Sequence, residues 1–182
     1  VLDPTPFWFL RHGQTDWNKD NLAQGAVDVP LNQTGIDQAK AAAALLEGRG
    51  IASVVCSPLV RARATAEIVA DRLRLAVVVE PLLHEASFGV MEGLPMLAPW
   101  FADWIAGLAT PEGAEPFAAV RARAVQAVNL VRTRQAAPLL VIAHGALFRG
   151  LRAAMGLEPN DRLMNAVPQY CVPGAPWRLI PA

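Results

Sequence analysis

Phe7-Trp8-Phe9-Leu10-Arg11-His12-Gly13 decides the fold: four apolar residues, preceded by Pro4 and Pro6, run straight into Arg-His-Gly. So short an apolar run predicts a buried strand whose C-terminal end delivers Arg11 and His12. The arrangement returns far along the chain, where Pro138 to Ala143 is followed by His144-Gly145. Near-continuous apolar strands belong to parallel sheets covered by helices on both faces.

Working outward, Gly13 to Asn32 is polar and broken by Gly25 and Pro30. It predicts a long loop with one helical turn, and loops of that length in compact domains are often functional. Thr34 is the predicted N-cap of a helix that ends at Gly48 and Gly50. A strand over Ala52 to Cys56 and a helix from Ser57-Pro58 to about Leu73 follow. Ala76 to Glu80 is a third strand, and Pro81 to Gly93 is irregular. Helices are expected over Pro95–Gly107, Glu115–Gln135 and Ala146–Met155, with edge strands near Ala166–Val172 and Trp177–Ile180. The alternation predicts an α/β fold: a three-layer α/β/α sandwich with a mostly parallel sheet. Residues 1–182 read as a single domain with a small cap inserted at about 93–113.

Composition narrows the function. Hydrophobic residues make up 53% of the 182, enough for a large core and too many for disorder. Lys+Arg and Asp+Glu are 16 each, so the basic excess of a non-specific nucleic-acid binder is absent. No apolar stretch approaches the roughly 18 residues of a membrane span. The apolar start runs into Arg11-His12 and does not read as a signal peptide. Cys56 and Cys171 form neither a disulfide framework nor a zinc motif, which favours a cytoplasmic setting. The reading therefore expects neither nucleic-acid nor membrane partners.

Ligands of open α/β sheets bind beyond the carboxyl ends of the strands, where His12 and His144 both fall. The glycine after each lets backbone approach a ligand closely. Arg11 adjoins one histidine, and Arg61 lies one turn into the helix after the second strand. Guanidinium groups match tetrahedral oxyanions with a planar fork of donors. Glu85, in the irregular segment, can act as general acid and then general base beside a cationic pocket. Arg63, Glu92 and Glu115 are weaker candidates on the same grounds.

Five segments in order resemble one family. Phe9-Leu10-Arg11-His12-Gly13-Gln14-Thr15-Asp16-Trp17-Asn18, then Gln24-Gly25 with Thr34-Gly35, resemble the opening of the histidine phosphatase superfamily, in its phosphoglycerate-mutase-like branch. Ser57-Pro58-Leu59-Val60-Arg61-Ala62, Leu83-His84-Glu85 and Val141-Ile142-Ala143-His144-Gly145 resemble its later motifs. The resemblance implies that His12 becomes phosphorylated and that Arg11, Arg61 and His144 hold the phosphoryl oxygens. Asn18 and Gly145 add contacts, Gln24-Gly25 lines the substrate side, and Glu85 protonates the leaving oxygen before activating water. Two arginines and a protonated His144 would supply the positive charge that magnesium supplies elsewhere, so no metal or cofactor is expected.

The reaction so implied is hydrolysis of a small phosphorylated metabolite by a monomer or homodimer. A mutase and a catalytically weak phosphate-binding module are the alternatives. The short cap favours hydrolysis, because it shields a phosphoenzyme less from water. Met91, Met96, Trp100, Phe101 and Trp104 are candidates for an apolar wall over the substrate. No Lys or Arg lies between Gly93 and Thr110, so a second phosphate finds little support there.

Overall fold

The computed structural model describes residues 1–96 and 99–182. Six strands form one sheet in the order β3-β2-β4-β1-β5-β6. Strands β1 (Phe7–Arg11), β2 (Ser53–Cys56), β3 (Val77–Val79) and β4 (Leu139–Ala143) run parallel. β5 (Gln169–Val172) joins β1 antiparallel, and β6 (Arg178–Pro181) pairs antiparallel with β5. The mostly parallel sheet and the tail strands at its edge match the sequence reading.

Side chains alternate along each strand, and the two central strands bury both sets. Phe7 and Phe9 of β1, with Leu139 and Val141 of β4, enter one core cluster. Trp8 and Leu10, with Leu140 and Ile142, enter another on the opposite face. The first is covered by α5 (Phe117–Arg134) and α6 (Gly145–Ala154), through Ala124, Val128, Phe148 and Leu151. The second is covered by α2 (Gln33–Leu46) and α3 (Val60–Leu73), through Ala42, Leu46, Ala66 and Val69. Small alanines on α2 and α3 let those helices pack closely on the sheet.

Local corrections have physical causes. Asn32, not Thr34, caps α2: its side-chain oxygen accepts from the Gly35 N–H at 2.9 Å, and Thr34 lies inside the first turn. The helical turn expected in the long loop is α1 (Asp16–Lys19), closed by a reciprocal capping box between Thr15 and Asn18. The helix expected over Pro95–Gly107 is α4 (Trp100–Ile105) in its described part; Leu97 and Ala98 lie outside the described residues.

Around α4 a third cluster forms, where Phe101, Trp104 and Ile105 pack with Phe88, Phe117 and Val120. The Trp104 indole donates to the Glu115 carbonyl at 2.8 Å. Behind β1, the loop holding His12 presses backbone against backbone on α2. A Cβ on Gly13 would sit 2.3 Å from the Gly35 carbonyl oxygen, and one on Gly35 would sit 2.1 Å from that of Gln14.

Phe148 stacks on Phe9 with ring centroids 4.3 Å apart and is fully buried. Phe148→Ala should therefore cost about 3–5 kcal/mol in urea unfolding. A loss below about 1 kcal/mol, the ordinary surface range, would contradict this core assignment.

Candidate active site

β1 and β4 are in parallel register, with Arg11 opposite Ala143. The His12 N–H continues the ladder by donating to the Ala143 carbonyl at 3.0 Å. The two histidines that follow thus emerge side by side, with ring centroids 5.2 Å apart. Beyond the strand ends lies a cavity of about 370 Å³. Arg11, His12, Asn18, Gln24, Gly25, Arg61, Glu85 and Gly145 all contribute to its wall. His144 is fully enclosed and supplies no wall surface, although its ring neighbours that of His12.

Hydrogen bonds fix the chemical form of each ring. His12 Nδ1 lies 2.7 Å from the Gly13 carbonyl oxygen, which can only accept, so Nδ1 carries the hydrogen. In the neutral ring Nε2 then keeps its lone pair. Burial pulls His12 well below its ordinary value of 6.5, and Arg61 and Arg11 pull the same way. Ser57 Oγ accepts the Leu59 N–H at 3.2 Å and lies 2.6 Å from His144 Nε2. Among the described residues the hydroxyl hydrogen has no other acceptor, so it is given to Nε2 and the His144 hydrogen sits on Nδ1. Burial, then Arg61, holds His144 well below 6.5 as well. The protonated His144 expected from sequence is thus replaced by a neutral ring, because a charged one would be desolvated among guanidinium groups.

The guanidinium groups are held by carbonyls. Arg61 is fully buried and donates through Nη1 to Val27 O at 2.8 Å and through Nη2 to Gly25 O at 2.9 Å. Arg11 Nη1 donates to Leu163 O at 2.8 Å. Burial lowers Arg11 to about 10, which leaves it charged at neutral pH. Among the described residues, the buried side-chain polar atoms without a partner are Arg11 Nε, Arg61 Nε and His144 Nδ1. Such atoms are rare in native proteins, and all three are donors on residues singled out by the sequence.

Glu85 sits on the N-terminus of α6. Its Oε1 accepts from the Ala86 and Leu147 N–H groups, each at 2.9 Å, and its Oε2 from Ala146 N–H at 3.0 Å. Asn18 Oδ1 accepts from Thr15 N–H and from Asn165 Nδ2, which leaves its own amide NH₂ for the cavity. Gln24 is fixed by the Thr15 hydroxyl at 2.9 Å.

The weaker candidates have other duties. Arg63 is exposed and pairs with Glu67. Glu92 braces the Ala26 and Phe88 N–H groups. Glu115 grips Arg123, whose Nη1 donates to the Leu82 and His84 carbonyls at 2.8 Å each and so steadies the segment before Glu85. Of the five expected wall residues, Met96 and Phe101 line the cavity; Trp104 is core, and Met91 and Trp100 pack against it.

Sequence reading missed Arg149, Asn160 and Arg162, which also line the cavity, and Asn165, which donates to the His12 carbonyl at 2.9 Å. Only Arg149 left a signal: it stands four positions after Gly145, on the same helical face. Among the described residues, no group of three or more His, Cys, Asp or Glu is placed to hold a metal. Burial pushes the Cys56 thiol up to about 12, and both cysteines are free. No described helix is long and apolar enough to cross a membrane.

The chain belongs to the histidine phosphatase superfamily (branch 1), whose profile matches residues 7–172. It is similar to a mycobacterial glucosyl-3-phosphoglycerate phosphatase at 30% identity and TM-score 0.82, with 96% of each chain covered. It is also similar to YhfR of Bacillus stearothermophilus, at 26% identity and TM-score 0.82, over 96% of this chain and 94% of that one. A probable phosphoglycerate mutase, GpmB, of Yersinia pestis is 38% identical over 99 residues, 53% of this chain. The chain spans about half the length of such curated relatives, 46% in that case.

Because both rings have depressed values, each stays neutral until the pH falls well below 6.5. Nitrogen NMR of the ligand-free protein at pH 6.5 should find His12 and His144 neutral. Half-protonation of either at that pH would contradict the site's electrostatics.

Proposed function

We propose that the protein is a metal-independent phosphatase that hydrolyses a small phosphorylated metabolite through a phosphohistidine on His12. One observation carries the reading: the hydrogen bond from His12 Nδ1 to the Gly13 carbonyl, which leaves an unprotonated Nε2 between two charged guanidinium groups. A neutral imidazole so held is a ready nucleophile.

In the first step His12 Nε2 attacks phosphorus as the bond to the leaving oxygen breaks, and that oxygen takes a proton from Glu85. Oε1 already accepts two hydrogen bonds and Oε2 one, so Oε2 has room to carry the proton. In the second step water attacks phosphorus, gives its proton to Glu85 and breaks the N–P bond. Inorganic phosphate leaves and His12 is neutral again. Charge on the equatorial oxygens is met by Arg11 Nε, Arg61 Nε, His144 Nδ1–H and the Asn18 amide. Glu85 also holds the α6 N-terminus, so helix and acid are positioned together.

Hydrolysis is favoured over transfer by the similarity to phosphatases along nearly the whole chain. The partial similarity to probable mutases supports the second reading, transfer to an acceptor hydroxyl.

Hydrolysis of p-nitrophenyl phosphate should proceed equally with and without EDTA, and His12→Ala should abolish it. A requirement for added metal, or full activity in His12→Ala, would overturn the proposal. Glu85→Gln should slow turnover of alkyl phosphates about 10²–10⁴-fold while inorganic phosphate still binds. Unchanged alkyl phosphate turnover would remove Glu85 from the mechanism.

A further inference from the structure

Glu85 sits in an irregular stretch of chain. Pro81 to Gly93 holds only two single 3₁₀ turns, Pro81–Leu83 and Gly89–Met91. A proton donor has to stand within about 2.6–3.2 Å of the oxygen it serves. Contacts from outside the segment must therefore set its backbone.

Arg123 of α5 supplies them. Its Nη1 donates to two carbonyls, Leu82 O and His84 O, at 2.8 Å each. They lie on either side of the fully buried Leu83, directly ahead of Glu85. Nε and Nη2 of Arg123 donate to Glu115 Oε1 and Oε2 at 2.9 and 2.6 Å. The two side chains of that pair are only 12% and 20% exposed, against 53% and 61% for Arg63 and Glu67. An open surface pair contributes little, whereas a two-pronged guanidinium–carboxylate contact fixes a geometry. Glu115 completes the clamp from beyond Glu85, since its N–H donates to Ser87 O at 2.9 Å.

The clamp is joined to both neighbours of the acid. α5 and α6 meet without slack: a Cβ on Gly150 would sit 3.0 Å from Arg121 Cα. The start of α6 holds the Glu85 carboxyl group through the Ala146 and Leu147 N–H groups. One helix thus holds the backbone ahead of Glu85, its partner holds the side chain, and the two helices are locked together. On the other side, the Glu115 carbonyl accepts the Trp104 indole N–H at 2.8 Å. Trp104 belongs to α4, whose Phe101 and Ala102 line the cavity. The acid and part of the wall facing the substrate therefore share one network.

We propose that Arg123 and Glu115 are positioning residues for the acid–base step: their ion pair sets Glu85 at the leaving oxygen, in register with the cap. Neither contributes to the cavity wall, so each acts through Glu85. This role rests on the phosphatase reading and adds what holds its acid in place.

The test compares kcat/KM for p-nitrophenyl phosphate and glycerol 3-phosphate. That constant covers the steps through departure of the leaving group, and nitrophenolate departs without a proton where an alkoxide needs one. Acid catalysis is worth about 10²–10⁴-fold, and a misplacement of about 1 Å forfeits much of such a factor. Arg123→Met should therefore spare the nitrophenyl ester and slow the alkyl ester at least ~10-fold, with inorganic phosphate bound as tightly as before. Glu115→Gln, which sets an amide NH₂ against the guanidinium donors, should shift the ratio the same way with little change in volume. In a Glu85→Gln background, where no acid remains to be placed, Arg123→Met should move the ratio no further.

Equal losses on both esters, or a further shift in the Glu85→Gln background, would overturn the positioning role. Should Arg123→Met fail to fold, an unmoved ratio in Glu115→Gln would overturn it as well. If Glu85→Gln selectively slows the alkyl ester and the Arg123 and Glu115 variants do not, this inference fails alone. If the unaltered protein hydrolyses neither ester, the phosphatase reading fails and the positioning role falls with it.

Discussion

Parallel pairing of β1 with β4 sets Trp8 against Leu140 and Arg11 against Ala143, and the His12 N–H carries the ladder one residue farther. Nearly every feature of the site depends on that register. It brings together two imidazoles separated by most of the chain, and it aims β1 so that Arg11 reaches the cavity. A slip of one residue would send Phe7 and Phe9 to the face now held by Trp8 and Leu10, and the reverse. Both faces are tightly filled, by aromatic side chains on one and by Ala-rich helices on the other. The core therefore enforces the register, and the register places the histidines.

Around this pair the protein accepts an electrostatic burden. Arg61 is wholly buried, and among the described residues no carboxylate comes within ion-pair distance of Arg11 or Arg61, and no cation within that distance of Glu85. Backbone carbonyls hold the guanidinium groups instead, while Glu85 is satisfied by backbone N–H groups at the start of α6. Carbonyl tethers fix a cation without cancelling its charge. Buried charge left in this state is unfavourable by itself, and a tetrahedral anion offsets it. Burial first, and then the nearby cations, lower both histidines below their ordinary value.

Much of this was legible in the sequence, for a physical reason. His12 and His144 each end an apolar strand, and strand ends in a parallel sheet are where sites form. Arg11 rides on the same strand, and Arg61 follows β2 by a short turn. Contributions set by tertiary packing were not legible. Asn160 and Arg162 reach the cavity because the loop after α6 folds back, and nothing local to them announces it; Arg149 left only its helical spacing from Gly145. The protonation of His144 was misjudged for a related reason: enclosure depends on neighbours distant in the chain. The cap of α2 went to Asn32 because the close approach of Gly35 to Gln14 fixes where that helix begins.

The central claim is that phosphorus passes through two displacements, first to His12 Nε2 and then to water. Each in-line displacement inverts configuration at phosphorus, so two restore it. The most direct measurement is the stereochemical course of hydrolysis, using an ester made chiral at phosphorus with oxygen isotopes and sulfur. The account predicts net retention in the thiophosphate released. Net inversion would mean that water attacks the substrate directly, and the phosphohistidine would then have no place in the reaction.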